Sequence, residues 1–303
     1  MALKFKLMKF FKSIRREPVR GLLFFSSFIS IIFLFLMLVF ILKEGAQSLL
    51  MFGVGFIIGP VWETNSDLYG AFPLIYGSLM IVVGALAIAV PLALGTSVFI
   101  SEIVPFSIRD ILKSMIELLA SIPSVIYGFI GILVVAPFIA SLFSIPSGTV
   151  ALTAAIILAI MTIPTIVGVS SEIISAVPKD YKEAALALGA TKWQTIRHVV
   201  LPTAKSGVIA GILLGFGRAI GETVAVVMVA GNTAIIPSPP WNFLSPVYTL
   251  TGAIAMQMGE ASVGSLEYSA LFGLGLILFI ITFIVNTLAD IIINKGSKKG
   301  AKK

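Results

Sequence analysis

Six stretches of this chain are apolar over the length a helix needs to cross the hydrocarbon of a bilayer, and the segments between them are too short for a water-soluble core. Crossing that slab takes about 20 mostly apolar residues, and the runs fall at 21–42, 74–99, 114–140, 148–173, 206–230 and 269–293. Only 12% of the residues are charged, against about 25% in an average soluble domain. The expected fold class is all-α, a polytopic membrane protein with six transmembrane helices. The first run follows a basic stretch and has no small-residue cleavage site behind it, so it reads as a retained anchor. The expected divisions are a basic segment at 1–20, a membrane domain at 21–294 containing a polar loop at 174–203, and a basic tail at 295–303.

The cations alternate sides with the apolar runs. Lys4, Lys6, Lys9, Lys12, Arg15, Arg16 and Arg20 precede the first. Arg109 and Lys113 fall between the second and third, and Lys179, Lys182, Lys192, Arg197 and Lys205 between the fourth and fifth. Lys295, Lys298, Lys299, Lys302 and Lys303 follow the sixth, while the other side keeps Lys43. The positive-inside rule then predicts both termini in the cytoplasm of a cell-membrane protein, with the tail anchored on anionic lipid. A nucleic-acid patch would not alternate with hydropathy, so the net charge of +7 does not point to nucleic acid. With no cysteine and one histidine, disulfides and thiolate or histidine metal clusters have no material. The segments at 43–73 and 231–268 lie on the opposite side, and Pro237-Ser238-Pro239-Pro240-Trp241 predicts a rigid loop at the membrane interface.

The loop at 174–203 has both ends of a helical hairpin written in. Pro178 opens the first helix, and Gly189 is placed for a left-handed C-terminal cap. Thr191 with Gln194 spells a capping box for the second, and Pro202 is expected to stop that helix short of the fifth span. Leu186, Leu188 and Trp193 give this polar-side element an apolar surface that lipid does not cover. Such a knob on a short helix fits a groove in a partner.

The fifth run holds Arg218 and Glu222. Each charge costs about 2.5–3.5 kcal/mol at the centre of a spanning helix, so neither should face lipid. On one continuous helix, Gly207, Gly211, Gly215, Arg218, Glu222 and Ala225 share a face, combining close helix approach with two charges one turn apart. The functional reading is a pathway-lining helix in which the Arg218 guanidinium attracts an oxyanion and Glu222 holds Arg218 in place and moderates binding. The structural alternative is a salt bridge that registers two helices. Glu117 and Glu172 read as snorkelling or capping side chains at span ends. His198 stands alone, and Pro123 and Pro164 are expected to kink the third and fourth spans.

The run Glu183-Ala184-Ala185, then Gly189, then Val199-Val200-Leu201-Pro202 resembles the EAA loop of ABC importer permeases, departing in having Val199 where that family carries isoleucine. Three further segments extend the resemblance: Phe72 through Leu79, Glu117 through Gly128, and Gly217-Arg218-Ala219-Ile220-Gly221-Glu222-Thr223-Val224-Ala225-Val226. These are similar to PstC, the permease type of phosphate ABC importers. The resemblance implies a type I (MetI-like) permease that forms half of a phosphate pathway, with Arg218, Glu222 and Thr223 on the passage. Glu183, Ala184, Ala185, Gly189, Leu201 and Pro202 would belong to the loop that couples to the ATPase. It also implies a PstA-like second permease, a PstB-like ATPase pair that binds ATP and Mg, and a PstS-like external binding protein. This chain has no phosphate-cradling Gly-rich loop ending in Gly-Lys-Ser/Thr, so it is expected to be no ATPase and to carry no cofactor. A PstA-type subunit, a sulfate or molybdate permease, and an autonomous anion channel stay open as alternatives.

Overall fold

A computed structural model describes residues 18–300; the residues before Pro18 and the last three lie outside the described residues, as do the side chains of Pro18, Arg20, Ala289, Asp290 and 292–300. Among the described residues six helical stretches are long and apolar enough to cross a membrane: Gly21–Phe52, Phe72–Ile103, Ser124–Phe143, Ala151–Ser175, Lys192–Gly221 and Leu266–Leu288. The number agrees with the sequence, but the first runs ten residues further, to Phe52, and the third and fifth differ in where they start and stop.

Helix α1 (Pro18–Phe52) is apolar on every side, and none of its most apolar window is buried in the chain. It leans chiefly on the last helix, α13 (Leu266–Gly300), through Gly45 against the Phe272 carbonyl and an edge-on contact of Phe40 with Phe272 at 5.3 Å. A short helix α2 (Val54–Ile58) leads to a hairpin of β1 (Trp62–Glu63) and β2 (Leu68–Tyr69), paired Trp62 with Tyr69 and Glu63 with Leu68. Trp62 Nε1 donates to Gln257 Oε1 at 3.0 Å. Tyr69 Oη donates to Asp67 Oδ1 at 3.2 Å, and burial with that carboxylate pushes the phenol up to about 12.

The centre of the molecule is a seam of small side chains. Helix α3 (Phe72–Val98) runs on through a π-helical turn to Ile103 and packs along α7 (Ala151–Ser175). Ala85, Ala89 and Ala93 on one side and Ala151, Ala154, Ala155 and Ala159 on the other are fully or almost fully buried. Lipid offers no hydrophobic drive between two apolar helices, so small residues that let backbones approach supply the packing. Pro164 sits inside α7 without ending it.

Pro123 ends a helix. The expected third span beginning at 114 divides into α4 (Phe106–Ser121), which is amphipathic and has no fully buried residue, Leu112 and Ile116 being partly buried against the core, and the true span: α5 (Ser124–Ile130), a π turn at Gly131–Val135 and α6 (Ala136–Phe143). The ring of a proline pushes the preceding residue out of the helical region, and Ile122 is extended at φ −65° and ψ 128°. Glu117 thus lies on α4, outside any spanning helix.

The loop at 231–268 does not lie flat at the interface. Pro237 is buried and Trp241 is exposed, but the chain then turns inward and buries Val247, Tyr248 and Leu250 at the head of α12 (Leu250–Gln257). On the way it satisfies the start of α7: Ala151 N donates to Ser245 O at 3.0 Å and Leu152 N to Phe243 O at 2.8 Å. Leu250 N donates to Ser78 Oγ at 2.9 Å, and a Cβ at the neighbouring Gly77 would collide with the Tyr248 carbonyl oxygen. Gly77→Ala should therefore cost about 1–3 kcal/mol, read as a lower midpoint of thermal unfolding in detergent, with no change for Gly95→Ala, where a Cβ meets open space.

Candidate coupling loop and pathway site

The loop folds as the hairpin its caps specify. Helix α8 (Lys179–Ala187) starts after Pro178 and ends at Leu188, and Gly189 follows at φ +84°. Gly189 N donates to Leu186 O at 2.9 Å and Ala190 N to Ala185 O at 3.1 Å, a Schellman closure that satisfies the last carbonyls. Thr191 begins α9 (Lys192–Thr195) with a complete capping box: Gln194 N donates to Thr191 Oγ1 at 3.2 Å and Thr191 N to Gln194 Oε1 at 2.8 Å.

Pro202 does not stop the second helix. From α9 the chain passes through a π-helical turn at Ile196–Val200 straight into α10 (Leu201–Gly221), with the proline in its first turn. The missing N–H and the ring of a proline demand extra room one turn earlier, and the wider π turn supplies it. The loop is thereby rigidly continuous with the fifth span. Val200 and Ala204 are buried, with Leu201 packed against them.

No residue of α8 is buried. Leu186 is half-exposed, Trp193 more so, and Leu188 is 89% exposed; Glu183 and Ala184 also face outward. One polar link ties α8 back to the membrane domain: Lys182 Nζ lies 2.6 Å from Glu102 Oε1, with side chains 21% and 10% exposed. His198 Nδ1 sits 3.1 Å from the carbonyl of Gln194, and no group of three or more potential metal ligands occurs among the described residues.

The fifth span is a broken helix. The expected single run at 206–230 ends at Gly221, Glu222 is extended at φ −68° and ψ 128°, and α11 (Val224–Val229) starts anew after Thr223. Non-helical backbone at membrane depth persists only where protein or a cavity satisfies it. Here Glu222 N donates to Ala219 O at 3.3 Å, Thr251 Oγ1 donates to Glu222 O at 3.0 Å, and Ala225 N donates to Glu222 Oε1 at 3.3 Å. Thr223 Oγ1 donates to Gly221 O at 3.2 Å.

The two charges do not pair: among the described residues no ion pair joins Arg218 and Glu222. Arg218 sits in the last turn of α10, where a cation complements the helix dipole, and its Nη1 donates to Thr165 Oγ1 of α7 at 2.9 Å. Glu222 serves the backbone of the break. The glycine face is used within the chain, not between subunits: Gly207 abuts Ile173, Gly211 abuts Val169 and Ser170, and Gly215 abuts Ile166 and Thr162, all on α7. Ala225 lies beyond the break and leaves that face. Arg218 itself stays exposed on the isolated chain. Thr165, which fixes it, carries no signal in the sequence because the contact depends on how α7 crosses α10. Glu117 and Glu172 line, with Lys113, a cavity of about 80 Å³ between α4 and α7.

Residues 103–296 match the family described as binding-protein-dependent transport system inner membrane component. The chain is 40% identical over 251 residues to the probable ABC transporter permease protein YqgH of Bacillus subtilis, covering 81% of this chain and 80% of that one. It is 38% identical over 295 residues to the phosphate transport system permease protein PstC of Pasteurella multocida, covering 90% and 91%. Among solved structures it is similar to a chain of the MetNI methionine ABC transporter, with TM-score 0.57, 18% identity and 73% and 93% coverage. A chain of a bacterial ABC transporter that imports the acidic polysaccharide alginate gives 0.59, 15%, and 95% and 99%; at these identities the likeness is one of fold. The chain belongs to the family of binding-protein-dependent transport system inner membrane components. It is accordingly a multi-pass membrane permease subunit of the MetI-like architecture found in ABC importers.

The capping box is testable by itself. Thr191→Ala should loosen α9 by about 1 kcal/mol and speed tryptic cleavage after Lys192 in solubilised protein, while Thr203→Ala, on the adjoining helix, should not.

Proposed function

We propose that this chain forms one half of the membrane pathway of an ATP-driven phosphate importer and that Arg218 is its anion-attracting residue. The observation that carries the reading is an arginine exposed on the isolated chain, held by Thr165 beside a helix break, within an otherwise apolar span. Such a charge is expensive against lipid, so its free face belongs to a partner permease or to the passage between two of them. The planar guanidinium suits a phosphoryl oxyanion. One donor is used by Thr165, which aims the group and leaves the others for substrate. Thr223 and the Glu222 carboxyl complete the lining at the break. Resemblance to phosphate permeases named PstC supports phosphate as the anion.

In this reading α8 seats Leu186 and Leu188 in a groove of a PstB-like ATPase, which binds ATP and Mg on its own chain. A PstA-like permease supplies the other half, and a PstS-like binding protein delivers phosphate to the side bearing the hairpin and α12. The cationic segments place α8 and both termini in the cytoplasm. Because α9 and α10 are one continuous rod, a displacement of the loop reaches the Arg218 turn without an intervening joint.

The test is uptake of labelled phosphate by cells that lack their own importers and express this chain with its companion subunits. ATP-dependent uptake, unaffected by excess sulfate or molybdate, is expected. Arg218→Ala should lower it about tenfold or more, the scale of one lost charge-assisted hydrogen bond, with the complex still assembled; full uptake in that variant would remove Arg218 from the pathway. Leu188→Asp should abolish co-purification of the ATPase, since a charge would enter an apolar groove.

A further inference from the structure

The coupling helix has a second route into the membrane domain besides the rod of α9 and α10. The π-helical turn at the end of α3 is where it lands. Glu102, in that turn, pairs with Lys182 of α8 at 2.6 Å, and both side chains are largely enclosed. The preceding residue, Ser101, is buried and donates its hydroxyl to Ser171 O of α7 at 2.9 Å. Arg109 of α4 closes the same turn from the other side: its Nη2 donates to Ser101 O at 2.5 Å, and its guanidinium lies over the Phe106 ring at 4.6 Å.

Ser171 and Thr165 lie on one helix, α7, and six residues of helix span about 9 Å. Thr165 holds Arg218. A continuous series of bonds and one rigid helix segment therefore runs from Lys182 beside the Glu183-Ala184-Ala185 motif to the arginine in the fifth span. A wide helical turn in which three elements converge on two residues is placed to carry displacement, not merely to end a helix.

We propose that the Glu102–Lys182 pair is a positioning link that transmits the movement of α8 to α3 and α7, and so sets how much substrate moves per ATP hydrolysed. The proposal rests on α8 being the ATPase contact. No residue of α8 is fully buried, so removing this link leaves it held by its two chain ends, Val177 after α7 and the rod of α9 and α10, with no ion pair of its own to α3. The ATPase can then still bind and cycle while α3 no longer follows.

The test uses the whole complex reconstituted in proteoliposomes, with loaded binding protein outside and ATP within reach of the ATPase. Phosphate moved and ATP hydrolysed are measured in the same vesicles. Glu102→Gln should keep the ATPase bound and hydrolysing while phosphate per ATP falls about fivefold or more, the lower end of ordinary coupling between sites. The charge exchange Glu102→Lys with Lys182→Glu should recover much of the loss that either reversal causes alone. If Glu102→Gln assembles poorly, Lys182→Met reports on the same link from the solvent side. An unchanged ratio, whether both rates fall together or neither does, overturns the proposal, as does an exchange no better than the single reversals. A failure of the docking reading looks different: the ATPase then stays bound in the Leu188→Asp complex, whatever the ratio in the Glu102 variants.

Discussion

An apolar slab offers no water to a peptide group, so each N–H and C=O within it has to find a partner inside the chain. Most of this molecule meets that demand with unbroken helix, and its distinctive parts are the places where helix is interrupted. At Gly221–Thr223 the interruption is closed by Ala219 O, the Thr251 hydroxyl and the Glu222 carboxylate. The inward turn of residues 247–253 is therefore the element that makes a broken fifth span tolerable. That inward turn in turn depends on Ser78 and on the open space at Gly77.

The same constraint explains the role of small residues. Alanines on α3 and α7 and Gly207, Gly211 and Gly215 of α10 bring the backbones together where lipid would otherwise compete equally for every apolar surface. Helix α7 is the common neighbour: α3 packs on one side, α10 on another, and α11 reaches it beyond the break. A side chain on α7 can thus serve several elements at once, as Thr165 serves α10 and the Ser171 carbonyl serves α3. With phosphate as cargo, this arrangement holds the arginine through a neutral hydroxyl, with no ion pair to it among the described residues.

The loop at the basic end follows different physics. Its first helix, α8, is closed by caps and holds no fully buried residue, while Ile196 and Val200 anchor the second half; Leu186, Leu188 and Trp193 are offered outward. An element with closed ends and an unburied face stays formed without its partner, and it binds without first having to order itself. Its continuity with α10 came from a proline that the sequence suggests as a stop.

Local chemistry was legible in the sequence alone. Six apolar runs, the Schellman glycine at 189 and the Thr191 capping box all depend on residues close together in the chain, and the structure carries each of them. The breaks were less legible. Pro123 and Pro202 carry the same missing N–H, yet one ends a helix and the other rides a π turn, because the room beside each ring is set by neighbouring helices. The pairing of Arg218 and Glu222 along one helix face assumed an unbroken helix. Tertiary contacts from Thr251 stabilised an extended Glu222 and gave Arg218 to Thr165, 53 residues away in sequence. Hydropathy and caps are properties of neighbours in the chain; which of two polar groups an arginine in a spanning helix meets is decided by how helices cross.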